Sequence, residues 1–169
     1  MEENAPETTA TEVSLGFTGN YPLRMDSAFR IAVPAKFKEV LDKKYGTAAN
    51  QVVLVPDSGK VKILPLPIWQ TVQRKLEELS EFDPSADDYR TFIFGNMTVC
   101  QLDAQNRVRL TPSLCELAEI QKEVVVVGQL DRMEIWDAAK WKEFNAGTAR
   151  NFKAVMAEVF RNRQASGVK

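Results

Sequence analysis

The chain says the same thing twice, and that repetition limits its fold more than any other feature. Asp26-Ser27-Ala28-Phe29-Arg30, followed by Ile31-Ala32-Val33-Pro34, returns as Asp103-Ala104-Gln105-Asn106-Arg107, followed by Val108-Arg109-Leu110-Thr111-Pro112. Each time, an acid and an arginine four residues apart open a short apolar run that stops at proline, where a helical pattern begins. The offset from Asp26 to Asp103 and from Arg30 to Arg107 is 77, while Val61 to Met133 and Trp69 to Trp141 are offset by 72. The second copy has therefore lost a net five residues between its turn and its hairpin. Two ordered copies with one deletion are an internal duplication.

Within a copy the patterns alternate between strand and helix, which predicts an α+β fold. Phe17, Gly19, Tyr21, Leu23 and Met25 recur at period two, and Pro22 confines that strand to an edge or a bulge. Pro34 opens a helix carrying Phe37, Val40, Leu41 and Tyr45, and Gly46 stops it. Gln51–Val55 and Val61–Ile63 flank the turn signature Pro56-Asp57-Ser58-Gly59, predicting a hairpin, and Ile68, Val72, Leu76 and Leu79 line one face of the next helix. The second copy repeats the series. A helical pattern through Tyr89, Phe92 and Ile93 leads into a strand at Met97, Val99 and Leu102. Thr111-Pro112 then starts a helix, four consecutive valines follow Glu123, and Asp137 caps a helix holding Trp141 and Phe144. The expected organisation is a disordered acidic tail over 1–14, a first module over 15–82, a second over 83–145, and a C-terminal amphipathic helix over 146–169. That helix carries Phe152, Val155, Met156, Val159 and Phe160 as one stripe. Its surplus of Arg150, Lys153, Arg161, Arg163 and Lys169 over Glu158 reads either as a solvated face or as a nucleic-acid contact.

What is missing narrows the chemistry. The 169 residues include no histidine, which removes the commonest general base and most transition-metal sites, and no P-loop or Gly-rich phosphate turn is present. No catalytic residues, metal site, cofactor or small-molecule substrate are expected, and the chain does not read as an enzyme. Cys100 and Cys115 lack metal-ligand spacing and read as small core residues of a protein in a reducing compartment. Neither a membrane span nor a secretory signal is evident, so a cytoplasmic location without membrane contact is expected. A formal charge of −1 means that any anionic partner is met by a local patch.

The repeated turn supplies such a patch. Asp26 and Asp103 can accept the turn's backbone N–H groups, and Asn106 tolerates a left-handed backbone, so these three are expected to structure the turns. Arg30 and Arg107 can pair with those aspartates or present their planar fork to DNA, where it matches phosphate oxygens or the O6/N7 edge of guanine. Arg109, Arg24, Lys36 and Lys38 add charge nearby, although the lysines also suit a solvated helix face.

Together with Phe17-Thr18-Gly19, Leu64-Pro65-Leu66-Pro67-Ile68-Trp69, Val126-Val127-Gly128-Gln129 and Glu134-Ile135-Trp136-Asp137, the two turns resemble the MraZ family over about residues 15 to 145. The resemblance implies tandem AbrB-like swapped-hairpin modules, a small β-barrel core with flanking helices, related by a pseudo-two-fold axis. It implies a transcriptional regulator of the bacterial division and cell-wall gene cluster. Such a protein would be nucleoid-associated and would bind double-stranded DNA at tandem promoter repeats as a ring-shaped homo-oligomer through its Asp-x-x-x-Arg turns. Three positions depart from the family pattern: Ala28-Phe29 stand where Lys-Gly is usual, and Thr18 where Arg is frequent. They motivate an alternative, an oligomeric scaffold or protein-interaction ring with weakened or lost DNA readout.

Overall fold

The computed structural model describes residues 16–167. The acidic tail expected over 1–14 lies outside the described residues. The first copy consists of β1 (Asn20–Arg24), β2 (Arg30–Ala32), α1 (Ala35–Tyr45), a short 3-10 turn, β3 (Gln51–Asp57), β4 (Lys60–Pro65) and α2 (Leu66–Glu77). After the linking helix α3 (Pro84–Asn96) the series returns as β5 (Thr98–Gln101), β6 (Arg107–Arg109), α4 (Pro112–Leu117), β7 (Glu123–Gln129), β8 (Arg132–Asp137) and α5 (Ala138–Arg150), and α6 (Phe152–Ala165) follows. Among the described residues no helix is long and apolar enough to cross a membrane.

The sheet order is β1-β7-β8-β4-β3-β5, antiparallel throughout, with a separate two-stranded ribbon of β2 and β6. The copies therefore exchange strands: β1 of the first pairs with β7 of the second, and β5 of the second pairs with β3 of the first. The hairpins meet at β4 and β8, where Lys62 lies opposite Glu134. The exchange is symmetric down to single hydrogen bonds. Met25 N–H donates to Lys122 O at 2.8 Å, and its counterpart Leu102 N–H donates to Asn50 O at 2.9 Å. Tandem duplication in an α+β chain is thus visible both in sequence offsets and in pairing.

Period-two alternation sends Val52, Leu54, Val61 and Ile63, with Val124, Val126, Met133 and Ile135, to one face of the sheet, where Phe37 and Leu41 of α1 and Leu114 and Cys115 of α4 close the core. The opposite face of β3 and β4 is also covered, by Trp69 and Leu76 of α2 and Ile93 of α3 packing on Val53, Val55 and Leu64. Burial on both faces explains why Gln51–Val55 reads as a continuous apolar run rather than an alternating one. In the second copy Trp136 stands where the first has Leu64. It meets Trp141 and Phe144 of α5, with ring centroids 5.6 and 4.8 Å away. The rings add roughly 0.5–1.5 kcal/mol per pair to their burial.

Capping follows the sequence. Thr111 accepts from Leu114 N–H, Asp137 accepts from Ala139 and Lys140 N–H, and Gly46 ends α1 with φ +51°. Two boundaries differ from the sequence reading. Pro56 and Asp57 belong to β3, leaving Ser58-Gly59 as a two-residue turn; β5 pairs only with Gln51–Leu54, so Pro56 lies beyond the ladder on that side, where a missing N–H leaves no partner unbonded. The helix expected to begin at 146 begins instead at Phe152, since Ala146 and Gly147 lie inside α5 and the interruption falls at Asn151. Both cysteines are buried and free.

Candidate nucleic-acid interface

Each turn is held by a single carboxylate. Asp26 Oδ1 accepts from Ala28 N–H and Arg30 N–H, both at 2.9 Å, while Oδ2 accepts from Arg30 Nε at 2.7 Å. Asp103 does the same for Gln105 N–H, Arg107 N–H and Arg107 Nε, at 2.9, 2.9 and 2.7 Å. The main chain closes both loops alike, Phe29 N–H donating to Asp26 O and Asn106 N–H to Asp103 O. Because these bonds favour the ionised form, both carboxyls sit below their ordinary value of 3.8. At Asp26 the Arg30 backbone N–H is the largest contribution; at Asp103 desolvation pushes upward, and the donors on Arg107 and Gln105 outweigh it.

Both turns need a left-handed residue at the same place, and they fill it differently: Phe29 has φ +59° and Asn106 φ +57°. Asparagine accepts this conformation readily, whereas for a bulky side chain it costs roughly 1–2 kcal/mol. Phe29 is half-buried against the main core, and that packing offsets the strain. The left-handed residues also lock the copies together, since Val33 N–H donates to Asn106 O and Leu110 N–H to Phe29 O, both at 2.9 Å.

The ribbon that follows the turns sorts its residues by face. Arg30 is paired with Arg109, Ile31 with Val108 and Ala32 with Arg107. Residues opposite one another in an antiparallel pair share a face, and alternate residues return to it. Ile31 and Val108 point into the core and are buried, so Arg30, Arg107 and Arg109 share the outer face with Ala32. Placing Arg30 directly opposite Arg109 is unfavourable in the free protein. Asp26 relieves part of this, its Oδ2 lying 3.8 Å from Arg107 Nη1 across the copy boundary. Among the described residues Arg109 is exposed and has no ion-pair partner.

The flanks are unequal. A shallow groove of about 490 Å³ runs between α1 and the second turn and includes Lys38, Glu39, Asp42, Lys43, Gln105 and Asn106 in its walls. Lys36 is exposed in the first turn of α1, and Lys38 pairs with Asp42 one turn on. At the offset of 77, the second copy has Ser113 and Cys115 where the first has Lys36 and Lys38, so no basic helix faces the first turn. Arg24 stands apart from the ribbon on the edge strand β1, 3.4 Å from Glu123. Sequence reasoning missed Lys122, which shares a depression with Arg24, Asp26 and Ser27, and Gln105, whose Oε1 accepts from Arg107 Nη2 at 3.1 Å. Gln105 could have been found from its place inside Asp-x-x-x-Arg; Lys122 is brought in only by the strand exchange.

A family model described as "MraZ protein, putative antitoxin-like" matches residues 17–92 and again 93–163. The chain belongs to the MraZ family. Relatives called transcriptional regulator MraZ include one from Acidithiobacillus ferrooxidans, 37% identical over 131 residues, covering 74% of this chain and 85% of that protein. The protein of that name from Nitrosomonas eutropha is 36% identical over 134 residues, 79% and 89% of the two chains. The one from Haemophilus influenzae is 32% identical over 146 residues, 82% and 94%. The two MraZ segments divide inside α3, so each contains one complete Asp-x-x-x-Arg turn.

Proposed function

We propose that this MraZ-family chain is a transcriptional regulator, not an enzyme, that binds double-stranded DNA sequence-specifically through its paired Asp-x-x-x-Arg turns. The observation that carries the reading is the two-stranded ribbon whose outer face holds Arg30, Arg107 and Arg109 above an apolar underside of Ile31 and Val108. A two-stranded ribbon fits the DNA major groove, and guanidinium forks match guanine or phosphate. Asp26 and Asp103 orient the arginines through Nε, leaving the Nη hydrogens to meet DNA except the one on Arg107 that Gln105 takes up, and Asn106 shapes the second turn. Lys36, Lys38 and Arg24 supply backbone contacts at the flanks. We read the strand exchange as support for tandem AbrB-like swapped-hairpin modules over 15–82 and 83–145, with a C-terminal helical segment over 146–169. Regulation of the division and cell-wall gene cluster from the cytoplasm, on the nucleoid, completes the reading.

One ribbon neutralises few phosphates, so a single site binds weakly. A ring of chains on tandem promoter repeats raises the effective concentration of every ribbon after the first. The test is a band-shift series on the chain's own upstream DNA at matched salt, comparing one, two and three boxes for the wild type, Arg30→Ala and Arg107→Ala. The expected result is affinity that grows with box number and falls in both variants; equal affinity for one and three boxes would sink the multivalent reading.

One observation favours a second reading, a scaffold ring without base readout: Nε of both turn arginines is already committed within the chain. No wild-type binding even at low salt, with assembly intact, selects it.

A further inference from the structure

The duplication exposes an unmatched element. In the first copy the helix after α2, α3, folds back onto the sheet and buries Ile93 against Val53 and Trp69. In the second copy the helix after α5 does not. None of the residues of α6 is buried, and its stripe of Phe152, Val155, Met156, Val159 and Phe160 is open, Val159 at 58% and Phe160 at 56% exposure. Five apolar residues at i, i+3, i+4, i+7 and i+8 on one helix face are the pattern of a helix that packs on something.

A second apolar surface of opposite charge lies in the middle of the chain, between the two copies. On α2, α3 and the corner between them, Leu79, Tyr89 and Phe92 are exposed, and Phe82 is almost fully so. A groove of about 500 Å³ beside them is floored by Val72, Leu76 and Ile93. Around this corner residues 77–90 carry Glu77, Glu78, Glu81, Asp83, Asp87 and Asp88, all exposed, against Arg90 alone. Over 150–163 the balance is reversed, with Arg150, Lys153, Arg161 and Arg163 against Glu158.

We infer that α6 of one chain docks on the α2–α3 corner of a second copy, its aromatic-aliphatic stripe over Tyr89 and Phe92 and its arginines along the acidic rim. The two faces are complementary in both charge and hydrophobicity, and among the described residues of one chain nothing covers α6. A contact between different patches of identical chains is head-to-tail, and it closes into a ring where the rotation between neighbours allows. The inference rests on the ring assembly proposed above and assigns its junction. The charged rim sets orientation and association rate, and the apolar centre supplies affinity.

The test uses the full chain and light-scattering mass after gel filtration. Val159→Asp and Phe92→Asp alter exposed side chains, so both should keep the wild-type circular dichroism, and their Tm should match that of the wild type diluted to where it does not assemble. Each alone should run as a monomer at concentrations at least ~10-fold above those at which the wild type assembles. Mixed together they should form a dimer only, because one intact α6 then meets one intact corner. Arg161→Glu with Arg163→Glu should weaken assembly, and Asp87→Lys with Asp88→Lys on the partner should restore it. Wild-type oligomers that persist in Val159→Asp and Phe92→Asp overturn the docking while leaving the ring reading standing; a wild type monomeric at every concentration overturns both. If Arg161→Glu with Arg163→Glu leaves the mass unchanged but lowers affinity for a single-box duplex, these cations serve nucleic acid and the docking is overturned.

Discussion

The first and second turns make the same carboxylate hydrogen bonds at the same lengths, yet they are not equivalent. The first places Phe29 in a left-handed backbone and anchors it by burial, with Lys122 and Arg24 nearby. The second uses Asn106, leaves that residue exposed, and looks across a groove to the lysines of α1. The first turn is thus tied to the core and the second is turned toward solvent and charge. A duplicated site can keep one scaffold while its copies divide the work, and the difference lies in what surrounds the turn rather than in the turn.

The hairpins offer the largest effect with which to break that comparison. At Gly128 the main chain of Phe17 and Thr18 crosses so closely that an added Cβ would lie 2.5 Å from both, whereas the equivalent position of the first copy is Pro56. Gly128→Ala is expected to cost about 2–3 kcal/mol, lowering Tm by roughly 5–10 °C, because backbone cannot yield as a side chain does. Pro56→Ala should cost about 1 kcal/mol. Equal losses in thermal melts would mean that the copies tolerate crowding alike.

DNA affinity comes next. Arg107→Ala combined with Arg109→Ala should weaken binding to tandem boxes about 10- to 100-fold and reduce the salt slope by roughly 2, whereas Arg30→Ala should cost about 3- to 10-fold. Band shifts across a salt series measure both quantities. A larger loss for Arg30→Ala would make the first turn, despite its tie to the core, the stronger reader.

Smaller effects sharpen the conformational contrast. Asn106→Phe puts a bulky side chain at φ +57° without a core to receive it, and urea unfolding should show a loss of about 1–2 kcal/mol. Phe29→Asn relieves the strain but gives up packing, so its net change should stay within about 1 kcal/mol. The smallest effect is the pH response, in which the copies should agree. Both aspartates are depressed in the folded state, so their contribution is present above the ordinary 3.8 and disappears as pH falls through the lowered folded values. The gap in urea midpoint between wild type and Asp26→Asn, or Asp103→Asn, should therefore be open at pH 6 and closed well below pH 3. A gap that survives in only one copy would show that its turn does not depend on charge.

Much of this was legible in the residues because local patterns decide local structure. Pro34 and Thr111-Pro112 open helices, Gly46 ends one, and Pro22 does lie on an edge strand, β1. The Asp-x-x-x-Arg spacing likewise pointed to carboxylates that organise turns, with Asn106 suited to its left-handed place. Residue spacing could not show how the parts come together. The pairing of β2 with β6 puts Arg109 opposite Arg30 across 79 positions of sequence, and the exchange of β1 and β5 brings Lys122 to Asp26. The start of the C-terminal helix was not legible because α5 runs on through Gly147, which a helix interior accepts at a cost of only about 1 kcal/mol. Phe29 was legible as an oddity, and only the core behind it explains why it is retained.

The crossed strands also set a timetable. Asn20 pairs with Val127, so β1 leaves the ribosome with its only named strand partner still unmade. At roughly 5–20 residues per second, about 5–20 s pass before β7 exists. During that interval the growing chain holds an unpaired strand, and neither turn can be locked by its counterpart. Two units that look separable in sequence are therefore born as one, and a message cut short before β8 yields no working half.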